Sequence, residues 1–280
     1  MKPPRFAYHR AGTLEEAIEL GARFDGSAKF MAGGQSLMPV MSLRMMTAEH
    51  VIDISGIAAL RECRAAGERE LIGAGTTHAM LEDGKVPDPA RGYLRHVAAG
   101  IGYRSIRNRG TVGGSLAHAD PAGDWPSALL ALDAVAVIAG PGGERRVPLR
   151  EFQLGLMETC LAGPELLTGV LVPRLSERAR WAYRKFCRKV GEFAHSIGAV
   201  VLDPTLRICN VVVGAVGGKP VRLEQTSARI AEGAPRKDPR ELAALVAQDL
   251  AGATGLDPSS YEFQVHHAIV SRALTQALSA

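Results

Sequence analysis

Residues 110–125 constrain the fold and function of this chain more than any other segment. Their sequence is GTVGGSLAHADPAGDW. Thr111 and Val112 are β-branched residues that favour a strand. The adjacent Gly113 and Gly114 leave out side chains where the backbone must approach another group closely. A structural turn needs a single glycine, so the pair and the small polar residues after it predict a binding loop.

A second glycine pair lies in residues 32–37, AGGQSL, directly after a strand predicted over residues 29–32. A turn without side chains presents several backbone N–H groups to one point, and such a nest binds phosphate oxygens without a lysine. The hydroxyls of Ser36, Thr111 and Ser115 add donors of the kind found at such nests. The two turns together predict a single large anionic ligand held between them.

The composition narrows the class of protein. The chain has 280 residues, 46% of them hydrophobic, which is enough for one large domain or two moderate ones. Only 5% are aromatic and the formal charge is +4 without a basic block, which disfavours nucleic-acid binding. The sequence offers no apolar run of about 18 residues for a membrane span, and no secretory signal at its N-terminus.

The chemistry of a self-contained hydrolase or metalloenzyme is missing from the sequence. Its four cysteines form no Cys-x-x-Cys pair, which disfavours a zinc site or an iron–sulfur cluster and fits the cytoplasm. Residues 73–75, GAG, resemble the start of a dinucleotide-binding fingerprint. His78 stands where that fingerprint has its third glycine or alanine, which disfavours a Rossmann-type site here. A chain that binds a large cofactor without acid–base machinery predicts redox chemistry carried by the cofactor.

Charged residues around the key segment have two interpretations. Arg104, Arg107 and Arg109 either complement the dipole at the end of a helix predicted over residues 94–106, or face a pyrophosphate or an acidic partner. Asp120 is explained by an Asx turn before proline and glycine. We expect Asp124 to accept a hydrogen bond from a ligand hydroxyl or ring N–H.

The C-terminal part predicts an α+β unit. Strands are expected over residues 181–188, 199–202 and 206–214, followed by helices over 240–252 and 261–278. Strands followed by helices predict a three-stranded antiparallel sheet covered on one side. His266 and His267 are expected on the helix surface.

Three segments carry a family resemblance: AGGQSLMPVMSLRM, IRNRGTVGGSLAHADPAGDWP and YRKFCRKVGEFAHSIGAVV. They resemble the FAD-binding medium subunit of molybdenum hydroxylases, the group of the carbon monoxide dehydrogenase medium chain and the flavin domain of xanthine dehydrogenase. The resemblance implies a PCMH-type, vanillyl-alcohol-oxidase-like FAD domain over residues 1–175, with α/β subdomains at about 1–55 and 56–175. Residues 176–280 would form an α+β, CO-dehydrogenase-flavoprotein-like domain.

By this resemblance, residues 32–36 and 111–115 wrap the FAD pyrophosphate and ribityl chain, and Leu161, Lys185 and Phe186 lie near the isoalloxazine. No residue is implied to be catalytic or to bind a metal. The full set of implied cofactor-binding residues is Lys29, Ala32, Gly33, Gly34, Gln35, Ser36, Leu37, Ile101, Thr111, Val112, Gly113, Gly114, Ser115, Ala117, Asp124, Leu161, Lys185 and Phe186.

The resemblance also implies a function and partners. In such a complex, a large molybdopterin subunit passes electrons to the [2Fe-2S] clusters of a small subunit. The FAD-binding subunit takes the electrons from these clusters and passes them from FAD to an external acceptor. A heterotrimer or a dimer of heterotrimers would result. Two alternatives remain open: a docking scaffold with weak or no flavin binding, and a self-sufficient flavin oxidase, which would need its own substrate pocket and base.

Overall fold

The computed structural model describes residues 2–233 and 238–279. The N-terminal part contains β1 (Ala7–Arg10), α1 (Leu14–Arg23), β2 (Ala28–Met31), α2 (Leu37–Ser42) and β3 (His50–Asp53). β3 lies between β1 and β2 and runs parallel to both. Thr13 Oγ1 accepts a hydrogen bond from the Glu16 N–H at 3.1 Å, and the Glu16 carboxylate accepts one from the Gly12 N–H at 2.7 Å. This capping box marks the start of α1.

The middle part is built on an antiparallel sheet in the order β4-β5-β10-β6-β7. Its strands and those of a small hairpin are β4 (Cys63–Ala66), β5 (Arg69–Gly73), β6 (Val135–Gly140), β7 (Gly143–Pro148), β8 (Gln153–Gly155), β9 (Glu158–Thr159) and β10 (Leu166–Pro173). Strands β6 and β7 form an antiparallel hairpin.

Short helices connect these strands. They are a 3₁₀ helix (Ala58–Arg61), α3 (His78–Glu82), α4 (Tyr93–Ala99), α5 (Arg104–Arg107), α6 (Val112–His118), α7 (Asp124–Ala131) and α8 (Leu149–Phe152). The helix predicted over residues 94–106 is divided into α4 and α5. Gly102 has a φ of +51°, a left-handed conformation that interrupts the helical path between them.

The C-terminal part contains β11 (Arg180–Phe186), β12 (Ser196–Asp203), β13 (Ile208–Gly214), β14 (Val221–Arg222), α9 (Glu224–Ala231), α10 (Pro239–Thr254) and α11 (Tyr261–Ser279). Strands β11 to β13 correspond to the predicted ones and are antiparallel. The short β14 extends the sheet beyond the predicted three strands by pairing with β13.

Both faces of this sheet are covered, which corrects the prediction of cover on one side. Ala182 and Val211 pack with the apolar faces of α9 to α11. Tyr183 and Ile197 point the other way and share a core with α4 and α7 of the middle part. The apolar residues of β12 are buried along almost its whole length, which is typical of a strand covered on both sides.

Among the helices that the structure describes, none is long and apolar enough to cross a membrane. The longest of them, α11, instead packs on the C-terminal sheet. Gly198 of β12 allows this close packing, because a Cβ there would lie 3.0 Å from the Ile269 carbonyl oxygen and 3.1 Å from Val270 Cα.

We predict that Gly198→Ala lowers the free energy of unfolding by about 1–3 kcal/mol, because the added methyl group must displace the α11 backbone. Urea-induced unfolding followed by circular dichroism measures the effect. The control is Gly218→Ala, since a Cβ at Gly218 meets nothing within 4 Å. Equal unfolding midpoints for the two variants would contradict the prediction.

Candidate functional site

The structure brings the two glycine segments into direct contact. A Cβ at Gly33 would stand 2.1 Å from the Arg109 carbonyl oxygen and 3.0 Å from Gly110 Cα. A Cβ at Gly114 would lie 3.6 Å from the Cβ of Ala32. Since no real Cβ tolerates the first of these distances, only glycine at position 33 lets the two backbones meet.

The first glycine segment presents free backbone donors. It follows β2 directly, and Gly34 has a φ of +70°, a left-handed conformation. The N–H groups of residues 33–36 find no protein acceptor among the described residues. Ser36 precedes α2 without a side-chain capping bond. Successive free N–H groups around a left-handed residue form an anion-binding nest, as the sequence predicts for this segment.

The second glycine segment is helical, which corrects the strand predicted at Thr111 and Val112. Thr111 is the N-cap of α6, and its Oγ1 accepts a hydrogen bond from the Gly114 N–H at 3.0 Å. An N-cap hydroxyl satisfies a backbone donor at the start of a helix. This local bond outweighs the weak strand preference of two β-branched residues.

Four of the five backbone N–H groups of residues 111–115 donate within the protein, and only that of Thr111 has no acceptor among the described residues. The Val112 N–H donates to the Thr76 carbonyl at 3.0 Å, and the Gly113 N–H donates to the Ala74 carbonyl at 2.8 Å. A Cβ at Gly113 would lie 2.4 Å from that of Ala74. Gly113 therefore serves helix packing, which corrects the prediction of a second N–H nest on this side.

What the second segment offers a ligand is space and a hydroxyl. Gly114 and Ala117 lie three residues apart and so share one face of α6. Ala117 is exposed, and Gly114 and Ser115 are half-buried. The Ser115 hydroxyl makes no hydrogen bond to a described protein group. Small residues on this face leave room for a large group beside the first segment.

A cavity of about 340 Å³ opens beside the free N–H groups of the first segment. Its walls are Phe6, Tyr8, Met31, Gly33, Gly34, Gln35, Met38, Val51 and Arg109. Lys29 lies two residues before Met31, so both occupy the same face of β2. Leu37, at the start of α2, is partly buried below this region.

The three arginines before the second segment are divided between two roles. Arg107 donates to both carboxylate oxygens of Glu82, at 2.7 and 2.9 Å, and Arg104 donates to both oxygens of Asp83 at 2.7 Å. These pairs hold the pKa of both carboxyls below their usual values. Arg109 lines the cavity, and its Nε donates to the Gly33 carbonyl at 3.4 Å. Of the three, Arg109 faces the candidate site.

Asp124 and Lys185 meet in a buried polar cluster. Asp124 Oδ1 accepts a hydrogen bond from the Tyr183 hydroxyl at 2.7 Å, and Oδ2 lies 3.1 Å from Lys185 Nζ. Lys185 also donates to the Gly100 carbonyl at 2.8 Å. Burial raises the pKa of Asp124, while the Lys185 ammonium and the Tyr183 hydroxyl act to lower it. Asp124 thus accepts from protein donors, where the sequence predicts a ligand donor.

Three further implied site residues have less specific surroundings. Ile101 follows Gly100, and its carbonyl accepts from Arg107 Nη1 at 3.1 Å. Ile101 and Leu161 both pack, partly buried, against the main core. Phe186 ends β11 with 37% of its surface exposed.

His78 is a residue of this region that the sequence does not identify. Its backbone N–H donates to the Gly110 carbonyl at 3.0 Å, and its Nδ1 accepts from Trp125 Nε1 at 3.1 Å. It therefore holds both ends of the segment 110–125. Burial lowers the pKa of His78 to about 4, and the Arg107 guanidinium adds to this effect, so the imidazole is neutral. The available signal in the sequence is a histidine where the dinucleotide fingerprint has its third glycine or alanine.

Asp120 and His266 also have definite positions. Asp120 Oδ1 accepts from the Ala122 N–H at 2.9 Å, which confirms the predicted Asx turn. His266 is 3% exposed and its Nδ1 lies 2.9 Å from Ser196 Oγ, so its predicted surface position is wrong. Helix α11 buries His266 as well as its aliphatic residues, so its buried face is wider than the spacing of the aliphatic residues predicts.

Known proteins resemble this chain in sequence and in fold. A family model described as the FAD binding domain in molybdopterin dehydrogenase matches residues 4–175, which include both glycine segments. The chain belongs to this family. It is an FAD-binding subunit of the molybdenum hydroxylase type, and the predicted FAD cofactor and oxidoreductase class are confirmed.

Relatives extend the likeness beyond the matched domain. The carbon monoxide dehydrogenase medium chain of Hydrogenophaga pseudoflava is 39% identical over 202 residues, covering 72% of this chain and 70% of that protein. The 6-hydroxypseudooxynicotine dehydrogenase complex subunit alpha of Paenarthrobacter nicotinovorans is 34% identical and covers 99% of this chain and 96% of its own length.

Solved structures confirm the predicted α+β fold class. The structure of the carbon monoxide dehydrogenase from H. pseudoflava that lacks the Mo-pyranopterin moiety matches with a TM-score of 0.89 at 33% identity, covering 100% of this chain and 99% of that chain. Quinoline 2-oxidoreductase from Pseudomonas putida 86 matches with a TM-score of 0.88 at 26% identity, with the same coverage.

The residues of the site fit FAD on their chemistry. A dinucleotide brings a pyrophosphate, and the free N–H groups of residues 33–36 supply the donors that phosphate oxygens require. None of the residues that line the adjoining cavity is acidic, and Arg109 adds a positive charge. The small residues Gly114 and Ala117 leave space on the facing helix.

We predict that Gly33→Ala and Gly114→Val each weaken FAD binding at least ~10-fold, which corresponds to about 1.4 kcal/mol. The first substitution forces the two segments apart. The second fills the space on the α6 face and also crowds the capping hydroxyl of Thr111, which would lie 2.9 Å from the new Cβ. Titration of the apoprotein with FAD, followed by flavin fluorescence, gives the dissociation constants. Gly142→Ala is the control, because a Cβ there meets nothing within 4 Å. Stoichiometric, tight flavin binding in both variants would contradict the placement of the site.

We predict a pH dependence from His78. Its pKa in the folded chain is about 4, below the ordinary value of 6.5, so the unfolded chain takes up the proton first as pH falls. The free energy of unfolding therefore decreases by roughly 3 kcal/mol as pH falls from about 6.5 to 4. Above pH 6.5, His78 causes no such decrease. In His78→Asn, which does not titrate, urea unfolding at pH 7 and 4.5 should differ by less than in the wild type. An unchanged pH dependence in the variant would rule out this role.

Proposed function

We propose that the chain is the electron-transfer subunit of a heterotrimeric molybdenum hydroxylase or of a dimer of such heterotrimers. In this proposal a large molybdopterin subunit passes electrons to the [2Fe-2S] clusters of a small subunit. The chain accepts the electrons from these clusters and delivers them to an external acceptor. The observation that carries the proposal is the nest of free N–H groups at residues 33–36, held against the second glycine segment. The names of the relatives, a medium chain and a complex subunit, support a multi-subunit assembly.

Each group of residues has a task in this proposal. The N–H groups of residues 33–36 hold the pyrophosphate, with Lys29 and Arg109 supplying positive charge nearby. The α6 face formed by Gly114, Ser115 and Ala117 accommodates the ribityl chain. When bound, FAD supplies redox chemistry that the side chains of the protein lack.

The remaining implied residues shape the far end of the site. Ile101, Leu161 and Phe186 provide apolar surface for the isoalloxazine. Two of the three N–H groups of the Lys185 ammonium donate to the Gly100 carbonyl and to Asp124. The third N–H is available to a ligand. The cluster therefore both fixes Lys185 and leaves it able to donate.

The proposed division of labour follows the sheets. Residues 1–175, with subdomains at about 1–55 and 56–175, bind FAD, and residues 176–280 form the C-terminal domain. The parallel sheet ends at Asp53, the antiparallel sheet spans β4 to β10, and the last sheet begins at Arg180, in keeping with these boundaries. We place the complex in the cytoplasm.

The proposal is tested on the intact complex purified with its own partner subunits. We expect its substrate to reduce the flavin of the complex, and an external acceptor to reoxidise it. Removing FAD should abolish electron delivery to the acceptor while substrate still reduces the iron–sulfur clusters.

Two outcomes would replace the proposal. A chain that remains colourless and takes up no FAD on reconstitution would indicate a docking scaffold. Substrate-dependent flavin reduction by the isolated chain would indicate a self-sufficient oxidase. A rise in melting temperature of the isolated chain with FAD is also expected, because a ligand that binds only the folded state stabilises it.

A further inference from the structure

A polar groove lies between strand β11 and helix α11, away from the glycine segments. It encloses about 430 Å³ and opens to solvent. Its walls are Arg184, Ser271, Arg272, Thr275 and Gln276. Ser271 and Thr275, and likewise Arg272 and Gln276, stand four residues apart and so form adjacent rows on one face of α11.

Both arginines of the groove are unpaired. Neither the Arg184 nor the Arg272 guanidinium forms an ion pair or hydrogen bond with residues 2–233 or 238–279. None of the described residues that line the groove is acidic. Two guanidinium groups without a counter-charge favour an anion, and their planar forks match the oxygens of phosphate.

A hydroxyl in the groove also lacks a partner. Ser271 Oγ is shielded from solvent and makes no hydrogen bond to any described group. A buried hydroxyl without a partner costs about 1–3 kcal/mol. Because its oxygen is shielded, the Ser271 hydroxyl meets a ligand oxygen only when its side chain turns toward the groove. The Thr275 hydroxyl already donates to the Ser271 carbonyl at 2.8 Å, and Gln276 lies beside it in the wall.

The local fold explains why the groove exists. Arg184 pairs in register with Gly198, the residue on which α11 packs closely. Helix α11 therefore lies close to the sheet beside Arg184. The adjacent strand residues, Tyr183 and Lys185, point to the opposite face and meet Asp124 there. The groove is thus separate from the candidate flavin site.

The end of α11 does not oppose an anion in the groove. Carbonyl groups at a helix C-terminus carry partial negative charge. Arg180, on the same face of β11 as Arg184, donates from Nη1 to the Leu278 carbonyl at 3.1 Å. This guanidinium offsets the negative end of the helix next to the groove.

We propose that the groove between β11 and α11 binds a phosphate group, either as the free ion or on a small phosphate monoester. The two guanidiniums of Arg184 and Arg272 supply charge, and the Ser271 hydroxyl, once its side chain has turned toward the groove, donates to a phosphate oxygen. The site is additional to the pyrophosphate nest of residues 33–36 and involves none of its residues.

The test uses the FAD-loaded full chain, so that phosphate cannot bind at the empty flavin site. Calorimetric titrations at constant ionic strength, with inorganic phosphate in one arm and glycerol 3-phosphate in the other, measure binding. We expect saturable binding, and the tighter arm identifies the free ion or the monoester as the ligand. Arg184→Gln and Arg272→Gln should each weaken it at least ~10-fold.

Two further variants separate binding from structure. Arg178→Gln, which replaces an exposed arginine outside the groove, should bind phosphate as the wild type does. Ser271→Ala should weaken phosphate binding, yet keep or raise the melting temperature in phosphate-free buffer because an unsatisfied hydroxyl is removed. Absence of saturable binding in both arms, or equal binding in the wild type and Arg272→Gln, would overturn the proposal.

Discussion

The contact between the backbone of Gly33 and that of Arg109 and Gly110 is the constraint on which the candidate site depends. It joins the end of β2, in the parallel sheet, to the approach to α6, which packs with the antiparallel sheet. Because the two segments meet here, the free N–H groups of residues 33–36 open onto a cavity at a junction between sheets. Ligand sites are commonly found at such junctions.

The buried cluster at Asp124 sets the position of the C-terminal sheet. An ion pair shielded from water is costly to form, and it persists only when its remaining donors and acceptors are satisfied. Tyr183 and Gly100 satisfy them here. Lys185 and Arg107 together hold the carbonyls of residues 100–102, at the C-terminal end of α4, where cations are favoured. The same charges thus fix both the sheet and the loop that carries Ile101.

The sequence predicts those parts of the site that depend on local chemistry. Glycine spacing identifies both segments, and the cap at Thr13 and the Asx turn at Asp120 follow from neighbouring residues. Other features depend on residues far apart in the chain. The N–H groups of Val112 and Gly113 donate to carbonyls near residue 75, and the Asp124 carboxylate accepts a hydrogen bond from a side chain of β11. Such competition between a ligand and distant protein groups leaves no periodic signal in a sequence.

Strand β11 shows how one strand can serve two sites. Its odd-numbered residues Tyr183 and Lys185 face Asp124 and the flavin domain, while Arg184 faces α11 and the polar groove. The alternation of a β-strand keeps these side chains apart although they are consecutive in the chain. A ligand in the groove therefore shares no side chain with the candidate flavin site. It can influence that site by displacing β11. The hydrogen bonds of Tyr183 and Lys185 to Asp124 resist this displacement on one face, and α11, which packs on the neighbouring Gly198 of β12, resists it on the other.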